Sequence, residues 1–383
     1  MAKRQGRRIL FIQTQAENAG AQEISRLLGE RLKARGHEIH HVFFYRKTDG
    51  FDRMENTTIC CRERPGNLFS FLRFYRGLVA TIRQINPDIV FTFQHFGNVM
   101  GAPAARLAGI DNVIANQVSA RETINPLVRA LDLILGMSSL YRRITVNSNA
   151  LLRDYQNFPQ SYQNKLLHVP HGFEDKTTDL SKFEARANHG LPVEARLLGT
   201  VARLNEAKQI DRAIDLLTKD PSWHLVIAGQ GEDAPRLKVF ADQKGVSERV
   251  IFLGELPQGY VGSLLAALDV FVFPSRAETF GLAAVEAAQC GIPVVANNLD
   301  VLREVLAVDG EPCADFVDVK DVAQFAGAVR RLLEDREYAR KMSALGRRLK
   351  EKYSLQAMVD AYEAMVLDLD VTRWQVRKPS VAL

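Results

Sequence analysis

The stretch Asp269-Val-Phe-Val-Phe273-Pro-Ser-Arg-Ala-Glu278-Thr-Phe280-Gly281-Leu-Ala-Ala-Val-Glu286-Ala-Ala-Gln-Cys290-Gly291-Ile-Pro-Val-Val-Ala296 decides the fold. Asp269–Phe273 is a short apolar run that reads as a buried parallel strand. Pro274 and Gly281 bracket a loop, Leu282–Cys290 is small, apolar and helix-forming, and Gly291 stops it before the next strand, Ile292–Ala296. This strand–loop–helix–strand unit carries two carboxylates, Glu278 and Glu286, eight positions apart. Glu286 lies among Leu, Ala and Val, in a helix packed on most sides, where a carboxylate is costly unless satisfied. It either caps a neighbouring backbone N–H or accepts a ligand's hydroxyl pair. Glu278 lies at the carboxyl end of the strand, where open α/β sheets bind ligands, or is a solvated loop residue. The N–H groups of Gly281, Leu282 and Ala283 face the same loop at the positive end of the helix dipole, a place for an anion flanked by hydroxyls.

Outward from this unit, the second half repeats strand and helix: Leu197–Ala202, Trp223–Ala228, Val250–Gly254, Val270–Phe273 and Pro293–Ala296 are strands with helical patterns between them. The first half does the same with Arg8–Gln13, Glu38–Tyr45, Asp88–Phe93, Asn112–Ala115, Arg143–Ser148 and Leu166–Pro170. Alternation of this kind predicts an α/β fold of two doubly wound parallel-sheet, Rossmann-like domains facing a central cleft. The boundaries are 1–171 with a returning C-terminal helix 353–383, a linker at 172–195 whose residues 175–195 are polar and irregular, and 196–352. Residues 46–66 also read as irregular, and helices are expected from 296 to a frayed end, Arg373–Leu383. Asn67–Ile85 reads as a helix with Leu68, Leu72, Tyr75, Val79 and Ile82 on one stripe and Arg73, Arg76 and Arg83 opposite, a solvated face or one that meets lipid headgroups.

Several polar residues follow strands. Arg203 and Lys208 come after the first strand of the second half, on the edge that carries Glu278. Gly229-Gln-Gly231 is a tight turn after the next strand. Asn18-Ala-Gly20-Ala is a small-residue turn after the first strand of the chain, His95 follows Phe93, and Ser119 and Arg121 follow Asn112–Ala115. His95 is a ligand contact or a structural loop residue.

The net charge of +5 is uneven: residues 1–171 hold 23 Lys/Arg against 13 Asp/Glu, and 172–383 hold 27 against 32. The basic half suggests an anionic partner such as a membrane surface, or it merely keeps the protein soluble. No run of about 18 apolar residues and no apolar signal core after Met1–Arg8 is present. Cys60, Cys61, Cys290 and Cys313 lack metal spacing, as in a reduced, cytoplasmic chain. No Gly-x-Gly-x-x-Gly follows the first strand of either half, which argues against a nicotinamide dehydrogenase.

Glu278-x7-Glu286, with Phe-Pro-Ser before it and Gly-x-Pro-Val-Val-Ala after it, resembles the signature of family-4 retaining glycosyltransferases of GT-B fold (glycosyl transferases group 1). Arg203 and Lys208 resemble that family's Arg-x4-Lys pair, and His171-Gly-Phe-Glu174 its hinge. The resemblance implies a retaining hexosyl transfer from a nucleoside diphosphate sugar, with a UDP-sugar expected, to a glycan or lipid-linked acceptor of the cell envelope or an exopolysaccharide. It implies a cytoplasmic enzyme, peripheral on the inner membrane face, with no cofactor, no metal and no nucleic-acid partner. Arg203 and Lys208 would hold the diphosphate, Glu278 would lie beside the reacting face of the sugar, and Glu286 would bind the ribose. Phe280, Gly281, Leu282 and Gly20 would line the donor, with Gly254, Glu255 and Leu256 against the base. His95, Ser119 and Arg121 are the candidate contacts to sugar or acceptor. The family's His after the Asn112–Ala115 strand is missing here. Asp368-Leu-Asp370 has a metal-type spacing but sits in a helical tail and reads as chance. The alternatives are a nucleotide-sugar 2-epimerase of the same architecture and a sugar-nucleotide-binding subunit without catalysis.

Overall fold

The computed structural model describes residues 6–17 and 19–375. Residues 1–5, Asn18 and 376–383, which hold most of the basic leader, part of the glycine turn and most of the expected frayed end, lie outside the described residues. The chain forms two compact units, Met1–Gly172 with Leu355–Leu383, and Phe173–Ser354.

In the first unit the strands are β1 (Arg8–Ala16), β2 (Glu38–Arg46), β3 (Thr57–Cys61), β4 (Ile89–Phe93), β5 (Val113–Gln117), β6 (Arg143–Val146) and β7 (Leu166–His168). They form one seven-stranded sheet in the order β3-β2-β1-β4-β5-β6-β7, parallel throughout. Both faces are covered by helices, so the central strands are buried without alternation: Ile9 to Ile12 and Ile89 to Val90 are 0% exposed. At Asn116 a buried polar residue of the sheet is satisfied from neighbouring strands and a helix. Asn116 donates from Nδ2 to the Thr92 carbonyl at 2.9 Å, while its Oδ1 accepts from Thr145 Oγ1 at 2.5 Å and from Tyr362 Oη at 2.6 Å. Tyr362 lies on the helix Leu355–Val366, which returns to this unit and is pinned by Arg35 to Asp360 and Glu363 at 2.6 and 2.5 Å.

His41 has no such partners. Its ring stacks on Phe11 at 5.1 Å, and neither nitrogen has a partner among the described residues. Burial drives its pKa down to about 3. The unfolded chain therefore takes up a proton below about pH 6.5 that the folded chain refuses, and stability falls as pH drops from there toward 3. His41→Phe is expected to remove a loss of about 3 kcal/mol at pH 4, read as a shallower pH dependence in urea unfolding. Equal slopes in the two proteins would contradict a neutral buried imidazole.

The second unit has β8 (Arg196–Val201), β9 (Trp223–Ala228), β10 (Val250–Gly254), β11 (Val270–Phe273) and β12 (Val294–Asn297), then the hairpin β13 (Ala307–Val308) and β14 (Glu311–Pro312), and β15 (Asp315–Val317). Its main sheet has the order β10-β9-β8-β11-β12-β15, again parallel.

Several expectations are corrected. Residues 46–66 hold β3, which pairs with β2 through His41↔Thr57 to Tyr45↔Cys61. Gln94–Leu107 is a helix directly after β4 rather than loop. The polar stretch 175–195 contains the helix Lys182–Asn188, started by a capping box between Ser181 and Glu184. β13, β14 and β15 interrupt the expected run of helices, and Thr372–Trp374 is a 3-10 turn whose next residue, Gln375, bridges Leu167. In the helix Leu68–Ile85 the buried stripe is Phe74, Leu78, Val79 and Ile82, whereas Leu68 and Leu72, in its first turns, are exposed.

Candidate active site

Ligands of doubly wound sheets bind where the strand order reverses, beyond the carboxyl ends of the two strands there. In the second unit those strands are β8 and β11, paired through Val270↔Leu198 and Phe271↔Gly199. The loop after β8 carries Arg203 and Lys208, and the loop after β11 carries Glu278. The two loops are tied by the Arg276 N–H donating to the Ala207 carbonyl at 2.9 Å. Above that tie, Lys208 Nζ meets Glu278 Oε1 at 2.5 Å and lies 5.8 Å from the Phe273 ring centroid. Their side chains are 21% and 11% exposed, a partly desolvated ion pair.

Gly281 begins the helix Leu282–Gln289 at φ 86°, and a Cβ there would come within 2.6 Å of Leu302. Only glycine fits both the left-handed turn and the space. The N–H groups of Gly281, Leu282 and Ala283 donate to no backbone carbonyl among the described residues. Asn297 Nδ2 braces the start of the loop at the Ser275 carbonyl, 3.0 Å away. Phe280 turns inward, 2% exposed, against Phe173 and Tyr353 at 5.8 and 5.0 Å. Its side chain is thus packing. Gly254 sits at φ 72° and accepts from Gly229 N–H at 2.7 Å, while Glu255 takes a hydrogen bond from Gln230. Leu256 follows, half-buried.

Glu286 is held by Lys176, Nζ to Oε1 at 2.5 Å. Lys176 gives no signal in the sequence: it is one cation in a polar stretch, 110 positions away.

In the first unit the reversal falls between β1 and β4. Gly20 is the exposed first residue of the helix Gly20–Ala34 after β1, and His95 the second residue of the helix after β4. Burial lowers the pKa of His95. A small cavity joins His95, Ser119 and Arg121 with Gln117 and Asp132. Asp132 is buried and accepts from Gln117 Nε2 at 3.0 Å, Tyr141 Oη at 3.0 Å and Tyr162 Oη at 2.9 Å. Burial nevertheless raises its pKa. Gln117 ends β5 where the sequence shows no histidine, and its amide is oriented by Asp132, a contact that local pattern does not reveal. Asp368 pairs with Arg142 at 2.6 Å, a structural role.

Residues 181–349 match the family model of glycosyl transferases group 1. The D-inositol 3-phosphate glycosyltransferase of Corynebacterium jeikeium is 32% identical over 206 residues, 51% of this chain and 48% of that protein. The O-antigen biosynthesis glycosyltransferase WclY of Escherichia coli is 28% identical over 183 residues, 48% and 49% of the two chains. The chain thus spans about half the length of the curated relatives it matches. Among solved structures, HepE of Anabaena in complex with UDP and glucose superposes with a TM-score of 0.81 at 18% identity, over 95% of this chain and 100% of that one. Sucrose-phosphate synthase of Thermosynechococcus elongatus gives 0.78 at 20% identity, over 94% and 98%. The fold is therefore GT-B, and residues 181–349 are similar to the glycosyl transferases group 1 family.

Proposed function

We propose that this protein is a retaining glycosyltransferase that moves a sugar from a nucleoside diphosphate donor, a UDP-sugar, to a glycan or lipid-linked acceptor in cell-envelope or exopolysaccharide synthesis. The observation that carries this reading is the meeting of Lys208 and Glu278 at the reversal between β8 and β11. Departure of a nucleoside diphosphate builds negative charge on its β-phosphate, and a cation aimed there stabilises that charge most in the transition state. In this reading Lys208 passes from Glu278 to the diphosphate when donor binds, with Arg203 beside it, so the two cations neutralise the leaving group without a metal. Glu278 is left facing the sugar, the free N–H groups at Gly281 and Leu282 take sugar hydroxyls or phosphate, and Glu286 takes the ribose. The backbone of Gly254, Glu255 and Leu256 grips the base. The acceptor is assigned to the first unit, at His95, Ser119 and Arg121 with Gln117. Support for UDP comes from HepE, solved with UDP and with UDP-glucose, and support for a surface polysaccharide comes from WclY.

Calorimetry with UDP-, GDP- and ADP-sugars tests this. One of them should bind wild type in the presence of EDTA and lose about tenfold or more in affinity in Glu286→Ala, since a charge-assisted hydrogen bond is worth about 1.5–3 kcal/mol. Binding of none would overturn the reading, and binding without transfer to any acceptor would leave a sugar-nucleotide-binding protein.

We further propose a cytoplasmic protein that rests on an anionic membrane surface. Among the described residues no helix is long and apolar enough to cross a membrane. The first turns of the helix Leu68–Ile85 expose Leu68, Phe69 and Leu72 by 73%, 76% and 51%, flanked by exposed Arg62, Arg64, Arg73 and Arg76. Apolar side chains ringed by arginines suit the headgroup boundary. Arg83 takes less part, because it donates to the Leu107 carbonyl at 2.7 Å. Sedimentation with phosphatidylglycerol vesicles at low salt is expected, and it should be lost in Arg73→Glu/Arg76→Glu. No binding by wild type would remove the proposal.

A further inference from the structure

Glu286 is the fifth residue of a helix whose neighbouring positions are Ala, Val and Leu, and its carboxylate has only 13% of its side chain exposed. The cation that meets it comes from outside the motif. Lys176 Nζ lies 2.5 Å from Glu286 Oε1, with its own side chain 15% exposed. The chain around Lys176 is fastened in place. Its carbonyl rests on Gly262 of the helix Gln258–Ala267, where a Cβ would come within 2.2 Å of the Lys176 oxygen, so the approach requires glycine. The residue before it, Asp175, is gripped by Lys350 Nζ at 2.8 and 2.9 Å and accepts from the Thr177 N–H and hydroxyl at 2.9 and 2.7 Å. A lysine stem held by its backbone, by the residue before it and by the residue after it is a fixture rather than a loose side chain that happens to fall on a carboxylate.

A carboxylate offers about four lone-pair sites, so one ammonium at Oε1 does not exhaust it. Without that ammonium it would bring an uncompensated negative charge into the same site as a diphosphate of the same sign, and it would be less firmly oriented. We propose that Lys176 is a positioning residue of the donor site: it neutralises Glu286 and fixes its orientation, so that Glu286 recognises the ribose hydroxyl pair of a nucleoside diphosphate without repelling the phosphates. The inference rests on the donor reading above and adds to it the device that sets ribose recognition. Its consequence is specific. Loss of Lys176 impairs discrimination of ribose from deoxyribose, and not only affinity.

The test is calorimetry of the whole chain with UDP, GDP and ADP, and with the 2′-deoxy form of whichever binds best. Wild type is expected to favour the ribose form by about tenfold or more, as a site built around a hydroxyl does. Lys176→Met should bring that ratio close to one, and Lys176→Arg should restore it. A defect that was merely structural would weaken both ligands alike and leave the ratio. In a Glu286→Gln background, which holds no carboxylate at position 286 even if Lys176→Met alone folds poorly, adding Lys176→Met should not change the ratio further. A wild-type ratio that survives in Lys176→Met overturns the role of Lys176. A wild-type ratio near one removes both Lys176 and Glu286 from ribose recognition while leaving nucleotide binding in place. Failure of wild type to bind any of the three nucleotides instead overturns the donor reading itself.

Discussion

Lys208→Ala is expected to lower kcat/KM by about 10²–10³, equivalent to about 3–4 kcal/mol of transition-state stabilisation. Two effects contribute. In the proposed reaction the ammonium would no longer meet the charge that develops on the departing diphosphate. In addition, Glu278, 11% exposed and 2.5 Å from Lys208 Nζ, is left as a partly buried carboxylate beside an anionic donor. The second effect separates from the first by comparison with Glu278→Gln and with the double variant. If the lost cation dominates, Lys208→Ala/Glu278→Gln recovers stability in urea but not turnover. If the stranded carboxylate dominates, the double variant recovers both. Single-turnover rates at saturating donor place the loss in the chemical step, since uniform binding would appear in KM alone. Near-wild-type turnover in Lys208→Ala would remove Lys208 from the reaction.

Gly231→Ala should produce the largest structural effect, about 3 kcal/mol or more of destabilisation in urea unfolding. The turn Gly229-Gln-Gly231 closes over the loop after β8. The Leu204 N–H donates to the Gln230 carbonyl at 2.9 Å, and the Asp233 N–H donates to the Leu204 carbonyl at 3.1 Å. A Cβ on Gly231 would lie 2.0 Å from the Leu204 oxygen and 2.7 Å from its carbon. The obstacle is backbone, which cannot rotate aside as a flexible side chain can, so the loop must move and carry Arg203 and Lys208 with it. Activity should therefore fall along with stability. Gly229→Ala adds a φ of 131° to a contact of 1.9 Å with the Ala202 oxygen. Gly254→Ala is the control: its φ is 72° but a Cβ there meets nothing within 4 Å, so only the conformational cost of about 1–2 kcal/mol applies. A Gly231→Ala protein within about 0.5 kcal/mol of wild type, the range of ordinary surface changes, would show that the turn yields.

The turn also shows what a sequence motif conceals. Gly-x-Gly after a strand reads equally as a ligand loop or a plain connection. Here the close approach of Gly229 and Gly231 to the backbone at Ala202 and Leu204 makes these glycines supports for the loop bearing Arg203. Phe280 is a second case. It stands inside the motif, yet its ring is 2% exposed and braced by Phe173 and Tyr353. Position along the chain does not say which way a side chain turns. The helix Leu68–Ile85 is a third. Its apolar residues exceed what one buried stripe can use, and only the tertiary packing shows that Leu68 and Leu72 remain outside.

Taken alone, the sequence determined the parallel α/β class, most of the strands, and the local form of the Glu278–Glu286 unit, because apolar runs, helix stops and strand ends are signals between near neighbours. It missed β3, β15 and the helix Lys182–Asn188, since short edge strands and a polar capped helix carry little hydrophobic pattern. The tertiary structure alone decided which loops share a site. Strand order set β8 beside β11 and so brought Lys208 to Glu278 across 70 positions, and the path of 173–177 over Gly262 brought Lys176 to Glu286 across 110. Such contacts depend on the pairing of non-local strands and on the packing of backbone against backbone, and those are properties of the assembled sheet rather than of any window of sequence.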